Sequence, residues 1–350
     1  MSARPKPIAV LIVEDSAVQR ELLCAVLAAD PGLRVAGTAR DGIEAIGQAA
    51  ALRPDVIVMD VNMPRLNGLE ATRRILTEMP VPIVVASASF VEREAELSFA
   101  ALEAGALAVV AKPAGLDHPD HEDVARRLVS TVKLMSEVTV VRRWPRGAEP
   151  TRPVPLPPRP RPGVRIVAIA ASTGGPAVIA DVLRGVAGSI NAAVLIVQHM
   201  APGFIVGFAE WLAQRTGLSA GVAQEGEAIL PRRAYLAPDG SQMGVTPDGR
   251  IAIRAGDGAT GFCPSGSHLL TSVAEHYGAA AIGIVLSGMG GDGAQGLLKL
   301  REAGGLTIAQ EAGSCAVFGM PKEAIACGAA MHVLAPDAIA ALVRAAANPG

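Results

Sequence analysis

Residues 8–15 read Ile-Ala-Val-Leu-Ile-Val-Glu14-Asp15, an unbroken apolar run that ends on two carboxylates. A strand with one wet face alternates apolar and polar residues, whereas a continuous run of this length reads as a strand covered on both faces, as in a parallel sheet. Outward from it the same unit recurs. Val35–Ala39, Val56–Met59, Ile83–Ala86 and Leu107–Ala111 read as buried strands, and the segments around 17–29, 42–52, 68–78, 91–104 and 121–137 carry helical apolar spacing between them. This is a (βα)5 pattern. After residue 163 the alternation resumes with Ile166–Ala171, Ala193–Val197, Ala281–Leu286 and Leu306–Ala309, while 221–256 reads as short strands and hairpins. The second half is therefore expected to be a doubly wound, mostly parallel α/β domain with a small hairpin insertion. In such sheets ligands sit beyond the carboxyl ends of the strands.

Between the halves, residues 145–162 contain eight prolines, and Arg142, Arg143, Arg146, Arg152, Arg159 and Arg161 are opposed there only by Glu149. No helix or interior strand tolerates that proline density, so the stretch reads as an extended tether. Its arginines either solvate and stiffen it or dock an acidic partner. The boundaries expected are a first domain at 6–137, a linker at 138–163 and a second domain at 164–350.

The 350 residues carry 31 Lys+Arg against 33 Asp+Glu, a net charge of −2, so no global field recruits nucleic acid or an anionic membrane. Cys24, Cys263, Cys315 and Cys327 are scattered without C-x-x-C spacing, so neither a zinc site nor a disulfide framework is indicated, and a reducing compartment fits best. Cys263 reads most simply as a small buried hydrophobe. The apolar run at 8–13 is too short for a signal-peptide core or a membrane span, and a cytoplasmic protein without membrane insertion is expected.

In the first half the strand ends collect chemistry. The first runs into Glu14 and Asp15, the third ends in Asp60-Val-Asn62, the fourth in Ser87 and the fifth in Lys112. Each alone has a plain account, as a turn, a strand-end cap or a surface lysine. Gathered at one sheet edge, three carboxylates repel unless a hard cation sits among them, and Mg²⁺ takes few carboxylates while keeping its waters. A carboxylate flanked by such a cation, an ammonium and a hydroxyl can accept a phosphoryl group. These residues closely resemble the receiver domain of bacterial response regulators, a flavodoxin-like fold. The resemblance implies phosphorylation of Asp60, Mg²⁺ held by Glu14, Asp15, Asp60 and the Asn62 carbonyl, and Ser87 and Lys112 as the groups that sense the phosphoryl. Where that family usually has Tyr or Phe, three residues before the lysine, this chain has Val109, so a rotating aromatic is not the switch.

In the second half the strand at 166–171 leads into Ser172-Thr173-Gly174-Gly175-Pro176, which sets a hydroxyl between a strand end and a helix N-terminus. The glycines could equally cradle a phosphate, although the full phosphate-loop pattern is absent. The next strand ends in His199 and a later one leads to Asp292, which could simply cap the following helix. Together they supply a weak nucleophile, the base it needs and the carboxylate that orients the base.

The chain resembles the chemotaxis protein-glutamate methylesterases of the CheB family through Ala-Ser172-Thr173-Gly-Gly, Gln198-His199-Met200-x-Pro-Gly-Phe204 and Ser-Gly-Met289-Gly-x-Asp292-Gly-Ala. That resemblance implies Ser172 as nucleophile, His199 as general base and then acid, Asp292 as its orienting partner, and oxyanion donors at the backbone N–H groups of Thr173 and Met289. It also implies glutamyl methyl esters of methyl-accepting chemoreceptors as substrates, glutamine deamidation by the same acyl-enzyme route, and a chemotaxis histidine kinase as phosphodonor to Asp60. The ester chemistry itself calls for no cofactor. Relatives tend to read Pro-Ser-Val-Asp where this chain reads Pro264-Ser265-Gly266-Ser267, a change outside the expected triad that bears on substrate fit. Two other readings are a phospho-dependent binding module that has lost turnover and an esterase for methylated glutamates outside chemotaxis.

Overall fold

The computed structural model describes residues 6–87, 92–115, 117–138, 163–256 and 261–347, with the backbone alone for 92–97. The Pro/Arg stretch read as a tether at 145–162 lies outside the described residues. The chain forms two compact units, one within Met1–Arg146 and the other within Gly147–Gly350.

The first unit alternates β1 (Ile8–Val13), α1 (Ala17–Ala28), β2 (Leu33–Ala39), α2 (Gly42–Leu52), β3 (Val56–Asp60), α3 (Gly68–Glu78), β4 (Ile83–Ser87), α4 (Glu92–Glu103), β5 (Ala108–Ala111) and α5 (His121–Ser136). Local chemistry starts the early helices. Ser16, Asp41 and Asn67 each accept a first-turn N–H of the helix that follows. The five strands are parallel in the order β2-β1-β3-β4-β5, and β1, β3 and β4 lie almost wholly out of water. The strand order reverses between β1 and β3, so a crevice opens there at the carboxyl edge.

The second unit runs β6 (Ile166–Ala171), α6 (Gly175–Val186), β7 (Ala193–Gln198), α7 (Ile205–Thr216), β8 (Ser219–Val222), β9 (Arg233–Leu236), β10 (Ser241–Val245), β11 (Ile251–Ala255), α8 (Gly266–Tyr277), β12 (Ala281–Val285), α9 (Ala294–Glu302), β13 (Leu306–Gln310), α10 (Met320–Ala326), β14 (His332–Leu334) and α11 (Pro336–Ala347). Seven of its strands form one parallel sheet, β14-β13-β12-β6-β7-β9-β8. Helices α8, α9 and α10 pack with Ile166, Ala168 and Ala170 of β6 into one core, while α6 packs with α7 and α11. The order reverses between β6 and β12, which makes the ends of β6, β7 and β12 the place where a site can form.

The expectation of hairpins across 221–256 holds only in part. β10 and β11 pair antiparallel, but β8 and β9 extend the main sheet in parallel. Their connection, 223–232, contains no helix. It is fastened instead by Gly226 N–H to the Ile251 carbonyl, Ile229 N–H to the Gly249 carbonyl and Ile251 N–H to the Glu227 carbonyl, at 2.8–3.1 Å. Strand pairing is decided by partners distant in sequence, so four-residue strands separated by turn residues read alike whether they pair locally or join a parallel sheet. β14, three residues long, adds an edge strand that was not anticipated.

Candidate functional site

In the first unit the reversal point brings the expected acceptor residues together. Glu14 and Asp15 leave β1, and Asp60 ends β3. Glu14, Asp15 and Asp60 each place a carboxylate oxygen within 4.8 Å of the others. Asp15 is exposed, whereas Glu14 and Asp60 are 1% and 4% exposed. Lys112, just past β5, ion-pairs with Glu14 at 2.7 Å and with Asp60 at 2.9 Å. Asn62 donates its N–H to the Asp60 carboxylate at 3.3 Å. Ser87, buried at the end of β4, accepts the Lys112 N–H on its carbonyl at 2.8 Å. Val109 is half-buried on β5 beside Val85.

The electrostatics of this cluster favour a bound cation. Burial pushes the Glu14 carboxyl above its ordinary pKa, against the Lys112 hydrogen bond and with help from the Asp60 charge. Burial likewise raises Asp60 more than Lys112 lowers it. Lys112 is raised as well: burial alone would lower it, but the Asp60 and Glu14 carboxylates outweigh burial. One ammonium against three carboxylates leaves negative charge uncompensated, and a single hard divalent ion fits that donor set.

In the second unit sheet register does the assembling. Ala171 pairs with Gln198, so Ser172 and His199 emerge side by side, with the His199 N–H on the Ala171 carbonyl at 2.9 Å. The buried Gln198 amide donates to the carbonyls of both Ser172 and His199 at 2.8 Å, tying the two main chains together. From the other side, the Ser172 N–H bonds the Ser287 carbonyl at 3.0 Å, which brings the turn after β12 alongside. A Cβ on Gly288 would stand 2.7 Å from the Ser172 Cβ. Gly288 is thus what lets this turn pass so close. Among the described residues the N–H groups of Thr173 and Met289 have no hydrogen-bond acceptor. Both flank Ser172, and both remain available to a ligand oxygen.

Asp292 completes the group. Its Oδ2 lies 3.0 Å from His199 Nε2. It does not cap the helix that follows it by side chain, since Gly293 holds the N-cap position of α9. Instead it reaches across to the N-terminus of α8. The Ser265 hydroxyl and the Ser267 and Gly293 N–H groups donate to Oδ1 at 2.8–2.9 Å, and the Gly266 N–H donates to Oδ2 at 2.6 Å. Burial alone would raise the Asp292 carboxyl, but the bonds from His199, Ser267, Gly266 and Ser265 more than reverse that and hold it well below the usual carboxylate range.

This relocates the segment at 264–267. It lies against Asp292 and bears on the proposed triad through the Gly266 and Ser267 N–H groups, which survive a change of side chain, and through the Ser265 hydroxyl. A Cβ on Gly266 would stand 2.4 Å from the Ala170 Cβ, so here the glycine suits the close contact between α8 and β6. Cys263 is not buried but exposed, because its loop runs over the surface outside the sheet. The loop is pinned by Gln242 of β10, whose amide bonds the Phe262 carbonyl and the Ser265 N–H.

Two family models match. One is the CheB methylesterase, over residues 167–343, and the other the response regulator receiver domain, over 10–142. The chain belongs to the CheB methylesterase family. A relative from Geobacter metallireducens named protein-glutamate methylesterase/protein-glutamine glutaminase 4 is 49% identical over 333 residues, covering 94% of this chain and 96% of its own. Another from Anaeromyxobacter dehalogenans, protein-glutamate methylesterase/protein-glutamine glutaminase 3, is 50% identical over 334 residues, covering 95% and 97%. Among solved structures, the Thermotoga maritima CheB methylesterase catalytic domain is 32% identical, covers 52% of this chain and 98% of its own, and superposes with a TM-score of 0.49. The two site regions thus fall in the two matched domains. No helix among the described residues is long and apolar enough to cross a membrane.

Proposed function

We propose that the chain is a protein-glutamate methylesterase and protein-glutamine glutaminase of the cytoplasm, acting on methyl-accepting chemoreceptors and switched on when a chemotaxis histidine kinase phosphorylates Asp60. The observation that carries the esterase reading is the His199–Asp292 bond at 3.0 Å set beside Ser172 by the β6–β7 register. With Nε2 engaged by Asp292, Nδ1 is the nitrogen left to take the Ser172 proton. Ser172 Oγ attacks the glutamyl carbonyl, and the Thr173 and Met289 N–H groups receive the oxyanion. His199 then gives that proton to the departing methoxide, which leaves as methanol, and a water deprotonated by His199 releases the glutamate. With glutamine the departing group is ammonia and the rest is unchanged. A preorganised donor of this kind contributes ~10²–10³ in rate.

For the switch, the supporting observation is that Asp60, Lys112 and the Glu14–Asp15 pair meet at one crevice. Glu14, Asp15, Asp60 and the Asn62 carbonyl would hold Mg²⁺. The ion, when bound, would offset charge on the incoming phosphoryl oxygens. Lys112 would pair with the phosphoryl group and Ser87 would sense it. The domains are assigned as receiver at 6–137, linker at 138–163 and esterase at 164–350. The test is methanol release from methylated receptor peptides, with and without a small phosphodonor and Mg²⁺. Release is expected to rise with the donor. Full release by Ser172→Ala refutes the esterase mechanism, and an equal rise in Asp60→Ala refutes the switch.

A further inference from the structure

Asp292 grips His199 along one edge, and an edge contact alone leaves the imidazole plane to turn about its side-chain bonds. One face of that ring is covered. The phenyl ring of Phe262 lies over it, centroids 4.6 Å apart and planes 10° from parallel. Phe262 is 49% exposed, so it is not there to fill a core. Its loop is also fastened where it matters. Gln242 donates Nε2 to the Phe262 carbonyl and accepts the Ser265 N–H on Oε1, both at 2.8 Å, so one amide spans the two ends of the stretch 262–265. From the far end of that stretch the Ser265 hydroxyl bonds the Asp292 carboxylate at 2.8 Å. The same short loop therefore presses on the face of His199 and helps hold the carboxylate at its edge.

We propose that Phe262 is a positioning residue for ester hydrolysis: by stacking on His199 it keeps the imidazole in the plane of its bond to Asp292, so that the opposite ring nitrogen stays aimed at Ser172. The inference rests on the triad reading above. The stack acts on the base and not on the substrate, so its loss slows turnover and leaves binding alone. A stacked aromatic pair couples strongly enough to alter turnover by about three- to tenfold.

The test uses the full chain, activated with phosphodonor and Mg²⁺, and steady-state methanol release from a methylated receptor peptide. Phe262→Leu keeps apolar bulk but loses the flat face, and kcat is expected to fall about three- to tenfold at unchanged KM. Phe262→Tyr keeps the face and is expected to restore kcat. In protein with isotope-labelled histidine, the ring-current displacement of the carbon-bound His199 ring protons is expected in the wild type and the Tyr variant and lost in the Leu variant. A raised KM with unchanged kcat makes Phe262 a substrate contact and overturns the proposal, as does unchanged kinetics in Phe262→Leu or failure of Tyr to rescue. Full methanol release by Ser172→Ala instead removes the triad reading beneath it, an outcome the kinetics of the Phe262 variants cannot mimic.

Discussion

Asp292 is the residue on which most converges, because five donors meet on one buried carboxylate and each is satisfied only by an acceptor. In Asp292→Asn one oxygen becomes an NH₂ group that faces N–H or hydroxyl donors, so bonds are lost and repulsion replaces them. Charge-assisted hydrogen bonds contribute roughly 1.5–3 kcal/mol each, and a loss of about 3 kcal/mol is expected in urea unfolding at pH 7. Its pH course follows from the depressed pKa. A carboxyl held below its ordinary 3.8 contributes stability that is fully present above that value and fades as pH falls further toward the folded-state pKa. The gap between wild type and Asp292→Asn should therefore be flat from pH 5 to 7 and narrow below about 4. In turnover the same change removes the carboxylate proposed to fix the His199 tautomer, and kcat should fall by about 10⁴. Lys112 presents the opposite case, a buried cation whose removal strands Glu14 and Asp60 together. Lys112→Met is expected to lower the thermal midpoint of the first unit in EDTA, at a cost of about 3–5 kcal/mol, and Mg²⁺ should recover more stability there than in the wild type. Equal Mg²⁺ effects in the two proteins would refute the shared-carboxylate account.

At the level of elements, the turn from β6 into α6 carries Ser172, the proposed nucleophile, and tolerates little change. Gly174 sits at φ 76°, and a Cβ there would stand 2.5 Å from the Ala316 Cβ. Gly174→Ala combines a left-handed backbone with overpacking, each costing about 1–2 kcal/mol. The expected outcome is a folded but destabilised protein in which a serine-directed phosphonate labels Ser172 more slowly; wild-type labelling at wild-type stability would contradict it. The strands that position these turns were legible because a doubly covered strand has to be apolar, as β1 and β6 are throughout and β3 and β7 are up to their last residues, Asp60 and Gln198. The ends of those strands were legible for the complementary reason, since Asp60, Ser172 and His199 break an apolar run at its carboxyl end. What stayed hidden depends on partners remote in sequence. β8 and β9 have no local mark of parallel pairing. The role of Gly266 and Ser267 toward Asp292 belongs to their N–H groups, which no side-chain letter reports. Phe262 reads as one exposed aromatic in a loop until the fold lays it over His199.

For the whole molecule, the same topological rule operates twice: strand order reverses between β1 and β3 in one parallel sheet and between β6 and β12 in the other, and each of these reversals gathers one set of polar residues, Glu14, Asp15, Asp60 and Lys112 in one unit and Ser172, His199 and Asp292 in the other. Their presence in one chain is meaningful only if the two are energetically coupled, and coupling has a measurable size. Regulation between sites typically amounts to about 1–3 kcal/mol, which corresponds to roughly 5- to 150-fold in the regulated quantity. A phosphodonor with Mg²⁺ should therefore raise methanol release by the full chain within that range, and the rise should vanish in Asp60→Ala. Val109 shapes the second half of this prediction. On the proposed switch, with no aromatic three residues before Lys112, the phosphoryl state is relayed by other groups at the crevice, and Ser87, buried at the end of β4, carries a hydroxyl there. Ser87→Ala should accordingly accept phosphate at Asp60, as followed by mass spectrometry, yet gain much less activity from it. If Ser87→Ala is activated as strongly as the wild type, the relay does not pass through this hydroxyl; if it is neither phosphorylated nor activated, Ser87 acts in phosphoryl transfer and not in reading its result.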